Sequence, residues 1–375
     1  MWDGDPMTDT RTHPPWLAWA ALGVVYVVWG STYLAIRFSV ETMPALLSAG
    51  FRFLVSGALL CLGVLLFAGP RAFRMTRPQF GTAALVGFLL PAWGNGLVVV
   101  AERDVASGLA ALLVASIPLY VVVLRRIIGQ RPPPVTLLGV AVGFAGLVVL
   151  LLGGPVAGAH GSAWFGPWLV LLAALGWACG TVAGSRLPVP PNPVTFSAVG
   201  MLIGGAVLSA GGWASGESLN LAAVSTESWL GWAYCVVFGS IAFSAYVYAL
   251  GRLPVSTVAT YAYVNPVIAV LLGVWLAGER FGPAQLAGGL IVLAAVVLVI
   301  RAEARASTAA TSPDQATAAP AMQKPGRTGA NSFGRGEARG CVSESEGAST
   351  VWTDAAPAGA PGAEDAKEGR RWLSD

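Results

Sequence analysis

The stretch PALLSAGFRFLVSGALLCLGVLL, residues 44–66, is an apolar run that contains a single charged side chain, Arg52. About 20 such residues are needed for an α-helix to cross a hydrocarbon core roughly 30 Å thick. If the helix begins near Pro44, a rise of about 1.5 Å per residue places Arg52 about 12 Å along it, close to the middle of that core. The stretch therefore predicts a transmembrane helix with a buried guanidinium.

The rest of the chain is equally apolar. Of its 375 residues, 55% are hydrophobic and 11% are charged, whereas about a quarter of a soluble domain is charged. The mean hydropathy is +0.67. We expect an all-α integral membrane protein with ten transmembrane helices, near residues 17–37, 44–68, 79–101, 105–126, 134–154, 162–184, 193–214, 228–250, 255–277 and 283–301.

The first half of the chain is repeated in the second half at an offset of 149 residues. The matched pairs include Thr32 and Thr181, Arg37 and Arg186, Pro44 and Pro193, Arg103 and Arg252, Ser107 and Ser256, Arg131 and Arg280, and Gly139 and Gly288. Each copy holds five spans. Because five is odd, the second copy must enter the membrane inverted relative to the first, so the fold class is two inverted-topology five-helix repeats.

The distribution of arginine supports this inversion, because cytoplasmic loops of membrane proteins are rich in Arg and Lys. The predicted cytoplasmic loops hold Arg71, Arg74, Arg77, Arg125, Arg126, Arg131, Arg186, Arg252, Arg301 and Arg305, and the outer loops hold Arg37, Arg103 and Arg280. We therefore place both termini in the cytoplasm. The predicted organisation is a cytoplasmic N-terminal segment (1–16), the first repeat (17–154), the second repeat (155–301) and a disordered cytoplasmic tail (302–375).

Three stretches resemble a known family: WGSTYLAIR (29–37), PALLSAGFRF (44–53) and YVNPVIAVLLGVWLAGERFGPAQLAGGLIVLAAVVL (263–298). They are similar to the EamA-type repeats of the drug/metabolite transporter superfamily. The resemblance implies a ten-helix exporter of small metabolites or drugs. Where the second copy has Glu279, the first has Gln130, so a role for the acidic residue does not carry to Gln130. We expect Glu279 to cap or brace the start of the last helix.

Aromatic and amide side chains inside the spans could line a cavity for amphipathic small molecules. The substrate-binding or gating candidates are Arg52, Trp29, Tyr33, Trp93, Asn95, Tyr261 and Asn265. The alternative is that the amides join helices through hydrogen bonds and that the aromatic rings anchor the membrane interfaces. Pro118 and Pro266 are predicted to kink or break matching helices of the two copies, which would free carbonyl groups near the site.

Arg52 needs a partner, because arginine at the centre of a membrane helix costs about 2.5 to 3.5 kcal/mol on insertion scales. The equivalent residue of the second copy is Met201, so the fold has an apolar alternative. One hypothesis is a structural network with an amide such as Asn95 or with freed carbonyls. The other is that Arg52 faces the central cavity, where it binds an anionic substrate group or holds a gate in one state.

The predicted function is secondary transport that exports small, amino-acid-like metabolites or drugs by alternating access. A membrane-embedded enzyme or a non-transporting receptor or scaffold is the alternative, although the chain lacks HExxH, nucleophile-elbow and P-loop motifs. No cofactor or metal is expected. The expected partners are a small-molecule substrate and the lipid bilayer, with a homodimer left open and no nucleic acid. The expected location is the bacterial plasma (inner) membrane, and the coupling ion is not identified by the sequence.

Overall fold

Ten helices account for most of the part of the chain that the computed structural model describes, residues 16–153, 164–250 and 252–311, where no strand occurs. In chain order they are α1 (Trp16–Ser39), α2 (Ala45–Phe67), α3 (Arg77–Ala101), α4 (Ser107–Ile127), α5 (Pro134–Leu152), α6 (Gly166–Arg186), α7 (Pro193–Ala214), α8 (Thr226–Leu250), α9 (Tyr261–Ala277) and α10 (Pro283–Thr311). The predicted N-terminal segment, apart from Trp16, lies outside the described residues.

The predicted all-helical membrane fold is confirmed. Nine of the described helices are long and apolar enough to cross a membrane, and α9 is a shorter apolar helix preceded by the turn Val255–Val258. Their outward-facing side chains are apolar, as at Phe67 and Trp275, which are 92% and 79% exposed. A continuous apolar surface of this kind suits contact with lipid rather than water.

The two five-helix repeats pack against each other with antiparallel equivalent helices. A Cβ atom at Gly57 of α2 would lie 3.1 Å from the carbonyl oxygen of Ala198 in α7, whereas one at Gly50 would lie 2.7 Å from the amide nitrogen of Ser209. The two helices therefore run in opposite chain directions along their contact. Likewise α5 packs along α10, and α1 packs on α8 and α9 as α6 packs on α3 and α4. This pattern is that of inverted-topology repeats.

Proline positions explain some of the irregularities in the helices. In α4 the first helical segment ends at Val114, four residues before Pro118, whose ring clashes with the carbonyl of that residue. Of the predicted kink or break at Pro266, the break does not occur there, because α9 is continuous through Pro266 and the interruption lies at residues 259–260. Pro266 is close to the N-terminus of α9, where the loss of one N–H removes a single helical bond.

The C-terminal helix is longer than predicted. The predicted disordered tail begins too early, because α10 continues beyond residue 302 to Thr311. Alanine, glutamate and arginine dominate residues 302–306 and are strong helix formers, and Glu303 also forms an ion pair with Arg125 of α4. The remainder of the predicted tail, residues 312–375, lies outside the described part of the chain.

Candidate functional site

The guanidinium of Arg52 is buried inside the helix bundle, with 6% of the residue exposed. Its Nη2 donates to Oδ1 of Asn95 on α3 at 3.1 Å, and its Cζ lies 4.5 Å from the centroid of the Phe53 ring. Nε of Arg52 has no hydrogen-bond partner among the described residues. The Asn95 amide therefore satisfies only part of the hydrogen-bonding capacity of this charge.

A narrow cavity lies beside Arg52, with a volume of about 10 Å³, which is room for about one water molecule. Its walls come from α1, α2, α3 and α8 and include Ser39, Ser48, Trp232 and Cys235. Trp232 Nε1 donates to the carbonyl oxygen of Ser48 at 2.9 Å and so holds α8 against α2. A metabolite could enter only if these helices moved apart.

The segment of α3 that carries Asn95 is a π-helix over Phe88–Asn95, and Pro91 lies inside it. A π-helical turn shifts the direction of the side chains that follow it and is frequent at functional sites. Trp93, in the same segment, points to α6, where its Nε1 donates to the carbonyl oxygen of Leu172 at 3.0 Å. The structure therefore separates Trp93 from Asn95, although the sequence places both in one candidate site.

Three aromatic rings meet where α1 of the first repeat crosses α8 and α9 of the second. The ring centroid of Trp29 lies 5.1 Å from those of Tyr246 and Tyr261, and the two tyrosine rings are 5.8 Å apart. We call these three residues the aromatic cluster. Tyr246 was not among the sequence-based candidates, because its only sequence signal is one aromatic residue in a tyrosine-rich span.

Polar groups border the aromatic cluster. The hydroxyl of Tyr26 is hydrogen-bonded to that of Thr260, next to the interruption that precedes α9. With its amide oriented to satisfy its neighbours, buried Asn265 donates to the carbonyl oxygens of Tyr26 and Tyr261, both at 3.3 Å. The predicted candidates Trp29, Tyr261 and Asn265 are thus brought together.

Tyr33 lies on α1 between the aromatic cluster and the end of the bundle where α1 ends. It is close enough to Tyr261 and Glu102 for electrostatic interaction. Glu102 follows directly on the last residue of α3 and is fully buried. In the sequence this carboxyl group lies near the end of a span. Helix ends are usually at the membrane surface, so its complete burial was not expected.

The end of the bundle where α1 meets α2, here called the Arg37 face, is closed by a charged contact. Arg37 of α1 forms an ion pair with Glu279, which lies between α9 and α10. Glu279 also accepts from the amide nitrogen and hydroxyl of Ser107, each at 2.7 Å, and from the amide nitrogen of Gly108 at 3.0 Å. One carboxylate therefore joins α1, α4 and the α9–α10 loop.

This arrangement corrects the expectation for Glu279. The carboxylate caps the N-terminus of α4 in the other repeat, where two free N–H groups and the helix dipole favour a negative charge. The start of the last helix is braced instead by Gln285, whose Oε1 accepts from the amide nitrogen of Gly282 at 3.0 Å.

The opposite end, where α4 meets α5, is here called the Arg125 face. Gln130 occupies the position equivalent to Glu279 and accepts from Nε of Arg125, which also forms an ion pair with Glu303 of α10. These contacts hold α4 to α10. Among the described residues, no group of three His, Cys, Asp or Glu residues is placed to hold a metal ion.

Comparison with known proteins gives a family match over both halves. The model described as "EamA-like transporter family" matches residues 15–152 and 164–301. A protein of Escherichia coli (strain K12) named "Uncharacterized inner membrane transporter YedA" is 41% identical over 286 residues, which cover 75% of this chain and 90% of that protein. A Salmonella typhimurium protein named "Probable amino-acid metabolite efflux pump" is 26% identical over 290 residues, covering 73% and 92%.

A solved crystal structure has the same fold. It superposes with a TM-score of 0.52 at 19% sequence identity, and the match covers 76% of this chain and 98% of the solved chain.

Proposed function

We propose, because the chain belongs to the EamA-like transporter family, that it exports small, amino-acid-like metabolites or drugs across the bacterial plasma membrane by alternating access. The observation that carries this proposal is the aromatic cluster with Asn265. It lies where helices of the two repeats cross, which is where transporters built from inverted repeats bind substrate. Aromatic rings with a few amides and hydroxyls suit an amphipathic small molecule.

The choice of amino-acid-like substrates draws on two sources. One relative is named as a probable amino-acid metabolite efflux pump. In addition, Arg52 supplies a buried cation with an unpaired Nε, which suits a carboxylate group. Along α8, Cys235 beside Arg52 and Tyr246 in the aromatic cluster are separated by about 16 Å, so one ligand would reach both groups only after the helices rearrange.

Alternating access is supported by the closure of the Arg37 face. Glu279, through its ion pair with Arg37 and its hydrogen bonds from Ser107 and Gly108, holds α1, α4 and the α9–α10 loop together. The cavity beside Arg52 has room for about one water molecule. Substrate must therefore enter or leave through a state in which these contacts have opened. In the orientation predicted by the arginine bias, the Arg37 face is the outer one.

Counterflow into proteoliposomes tests the proposal. Vesicles preloaded with an unlabelled amino acid, nucleoside or cationic dye should take up the same labelled compound, and Tyr261→Ala should reduce this uptake by about tenfold if the ring packs on the substrate. Trp275→Ala is the matched control, because Trp275 also lies on α9 but is 79% exposed. Absence of counterflow for every compound, or chemical conversion of one, would contradict export and favour the receptor or the enzyme alternative.

A further inference from the structure

The carboxyl group of Glu102 is the most isolated ionisable group in the described part of the chain. The residue is 0% exposed, and neither carboxyl oxygen has a hydrogen-bond partner among the described residues. Two other carboxylates near the Arg37 face differ in this respect. Glu279 accepts four hydrogen bonds, and Glu217 caps α2 by accepting from the amide nitrogens of Leu46 and Leu47.

Charged and titratable groups surround Glu102 on several elements. They are Tyr33 and Arg37 on α1, Arg52 on α2, Cys235 on α8 and Glu279 between α9 and α10. Both arginines are engaged elsewhere, since Arg37 pairs with Glu279 and Arg52 donates to Asn95. Neither arginine lies within ion-pair distance of Glu102 in this state.

An ionised carboxylate without hydrogen bonds is very costly in such a place, whereas the neutral acid is tolerated. Burial raises the pKa of the Glu102 carboxyl well above its ordinary range, and Glu279 adds to this rise, whereas Arg52 and Arg37 oppose it. Burial without hydrogen bonds therefore favours the protonated form of the Glu102 carboxyl group while the Arg37 face is closed.

We infer that Glu102 is a proton-binding site that couples export to the entry of protons. This inference rests on the proposed function. When the Arg37 face opens, the carboxyl group exchanges one proton with the outer solution. After closure it carries that proton until the opposite side opens, where the proton leaves to the cytoplasm. The step is a protonation equilibrium, so no bond other than O–H is formed or broken.

The arginines connect this protonation to the gate. Once ionised, Glu102 attracts Arg37, which the structure shows paired with Glu279 across the Arg37 face. Loss of the proton therefore weakens the closing contact, and its return restores that contact. Binding or loss of a proton changes the charge of the buried carboxyl group and can in this way shift the populations of the closed and open states.

Infrared spectroscopy of the purified protein tests protonation without any substrate. Wild-type protein should show the carbonyl stretch of a buried protonated carboxyl group, sensitive to deuterium exchange, at pH values above the ordinary pKa of glutamate. The band should be absent from Glu102→Gln, shifted in Glu102→Asp and unchanged in Glu41→Gln. Glu41 is a suitable control because its exposed carboxylate lies on the same face.

Transport then tests coupling, with the amino acid, nucleoside or dye that shows counterflow. An inward proton gradient of one pH unit allows up to about tenfold accumulation against the gradient for one proton per substrate. We expect the ratio of initial rates with and without the gradient to fall to about one in Glu102→Gln and to keep its wild-type value in Glu41→Gln.

The outcomes separate the two proposals. Absence of counterflow in the wild type overturns the proposed function. Counterflow that does not respond to the proton gradient, or a gradient response that persists in Glu102→Gln, overturns the coupling role of Glu102. If Glu102→Gln does not exchange substrate at all, the infrared measurement tests the proton site instead. Persistence of the protonated-carboxyl band in that variant would show that the band does not come from Glu102 and would overturn the proposal.

Discussion

The loops Gly278-Glu279-Arg280 and Gly129-Gln130-Arg131 occupy equivalent positions in the two repeats but make different contacts. Their backbones agree, because Gly278 and Gly129 both have positive φ angles, 63° and 88°, which favour glycine at the end of a helix. Their side chains differ in charge. Glu279 joins three elements at the Arg37 face, whereas Gln130 bonds to Arg125 within its own repeat.

The repeated fold and the closure of each face therefore have separate causes. The loop backbone, with its glycine at a positive φ angle, is shared by both copies. Two charges are not shared, since Glu279 corresponds to Gln130 and Arg52 corresponds to Met201 in the alignment of the copies.

Membrane orientation is the largest test of the comparison, because it decides which face is outside. We expect reporters fused after residue 305 or within 186–192 to report the cytoplasm, and reporters at 155–160 or 217–227 to report the outside. Enzymatic reporters that are active on only one side measure this directly. Two reversed locations among the four would contradict the inverted arrangement of the faces.

The second test exchanges a residue between the repeats at the position of Arg52. We expect Arg52→Met to insert normally, to melt in detergent at or above the wild-type temperature, and to lose transport by about tenfold or more, because bonds to charged groups contribute about 1.5 to 3 kcal/mol. Counterflow and thermal unfolding measure the two effects.

Arg52→Lys and Met201→Leu complete this test. Lysine should recover little transport if a planar, bidentate guanidinium is required. Met201→Leu should leave transport unchanged, because it preserves an apolar side chain of similar volume. Normal transport by Arg52→Met would show that the contact with Asn95 is structural only.

The third test makes the two loops alike. Glu279→Gln removes the partner of partly buried Arg37, so we expect the free energy of unfolding to fall by about 2 to 3 kcal/mol. Gln130→Ala removes a neutral acceptor at the Arg125 face and should cost about 1 kcal/mol or less. Denaturation in mixed detergent micelles compares them, and equal losses would show that the two faces are held equally.

The smallest expected effect is the pH dependence that Glu102 gives to stability. Its pKa is raised in the folded protein, so between the ordinary pKa of glutamate and the raised value the native state binds more protons than the unfolded state. Stability is therefore full at low pH and declines as pH rises through that interval, by up to about 1.4 kcal/mol per pH unit.

Melting temperatures of wild type and Glu102→Gln across this pH range check the sign. The Gln variant should lack this component of the decline, and Glu41→Gln should keep it. A melting temperature that rises equally with pH in all three proteins would contradict a protonated Glu102 in the closed state.

Much of the fold was predictable because membrane spans follow from length and apolarity, and inversion follows from an odd number of spans per repeat. The site was predictable only in part. The pairing of Arg52 with Asn95 was one of two alternatives from the sequence. The sequence-based candidates Trp29, Tyr261 and Asn265 also lie close together in the structure. Trp93 shows the limit, since the π-helical segment turns it toward α6.

The sequence by itself determined that the chain lies in a lipid membrane, where its helices are and that it contains a repeat, because these depend on local hydrophobicity and on order along the chain. Only the tertiary structure decided which charges meet. Glu279 is 172 residues from Ser107 and 242 from Arg37, and no local pattern encodes contacts over such separations. The same holds for Glu102, whose isolation depends on helices packing around it while Arg37 and Arg52 bind other partners.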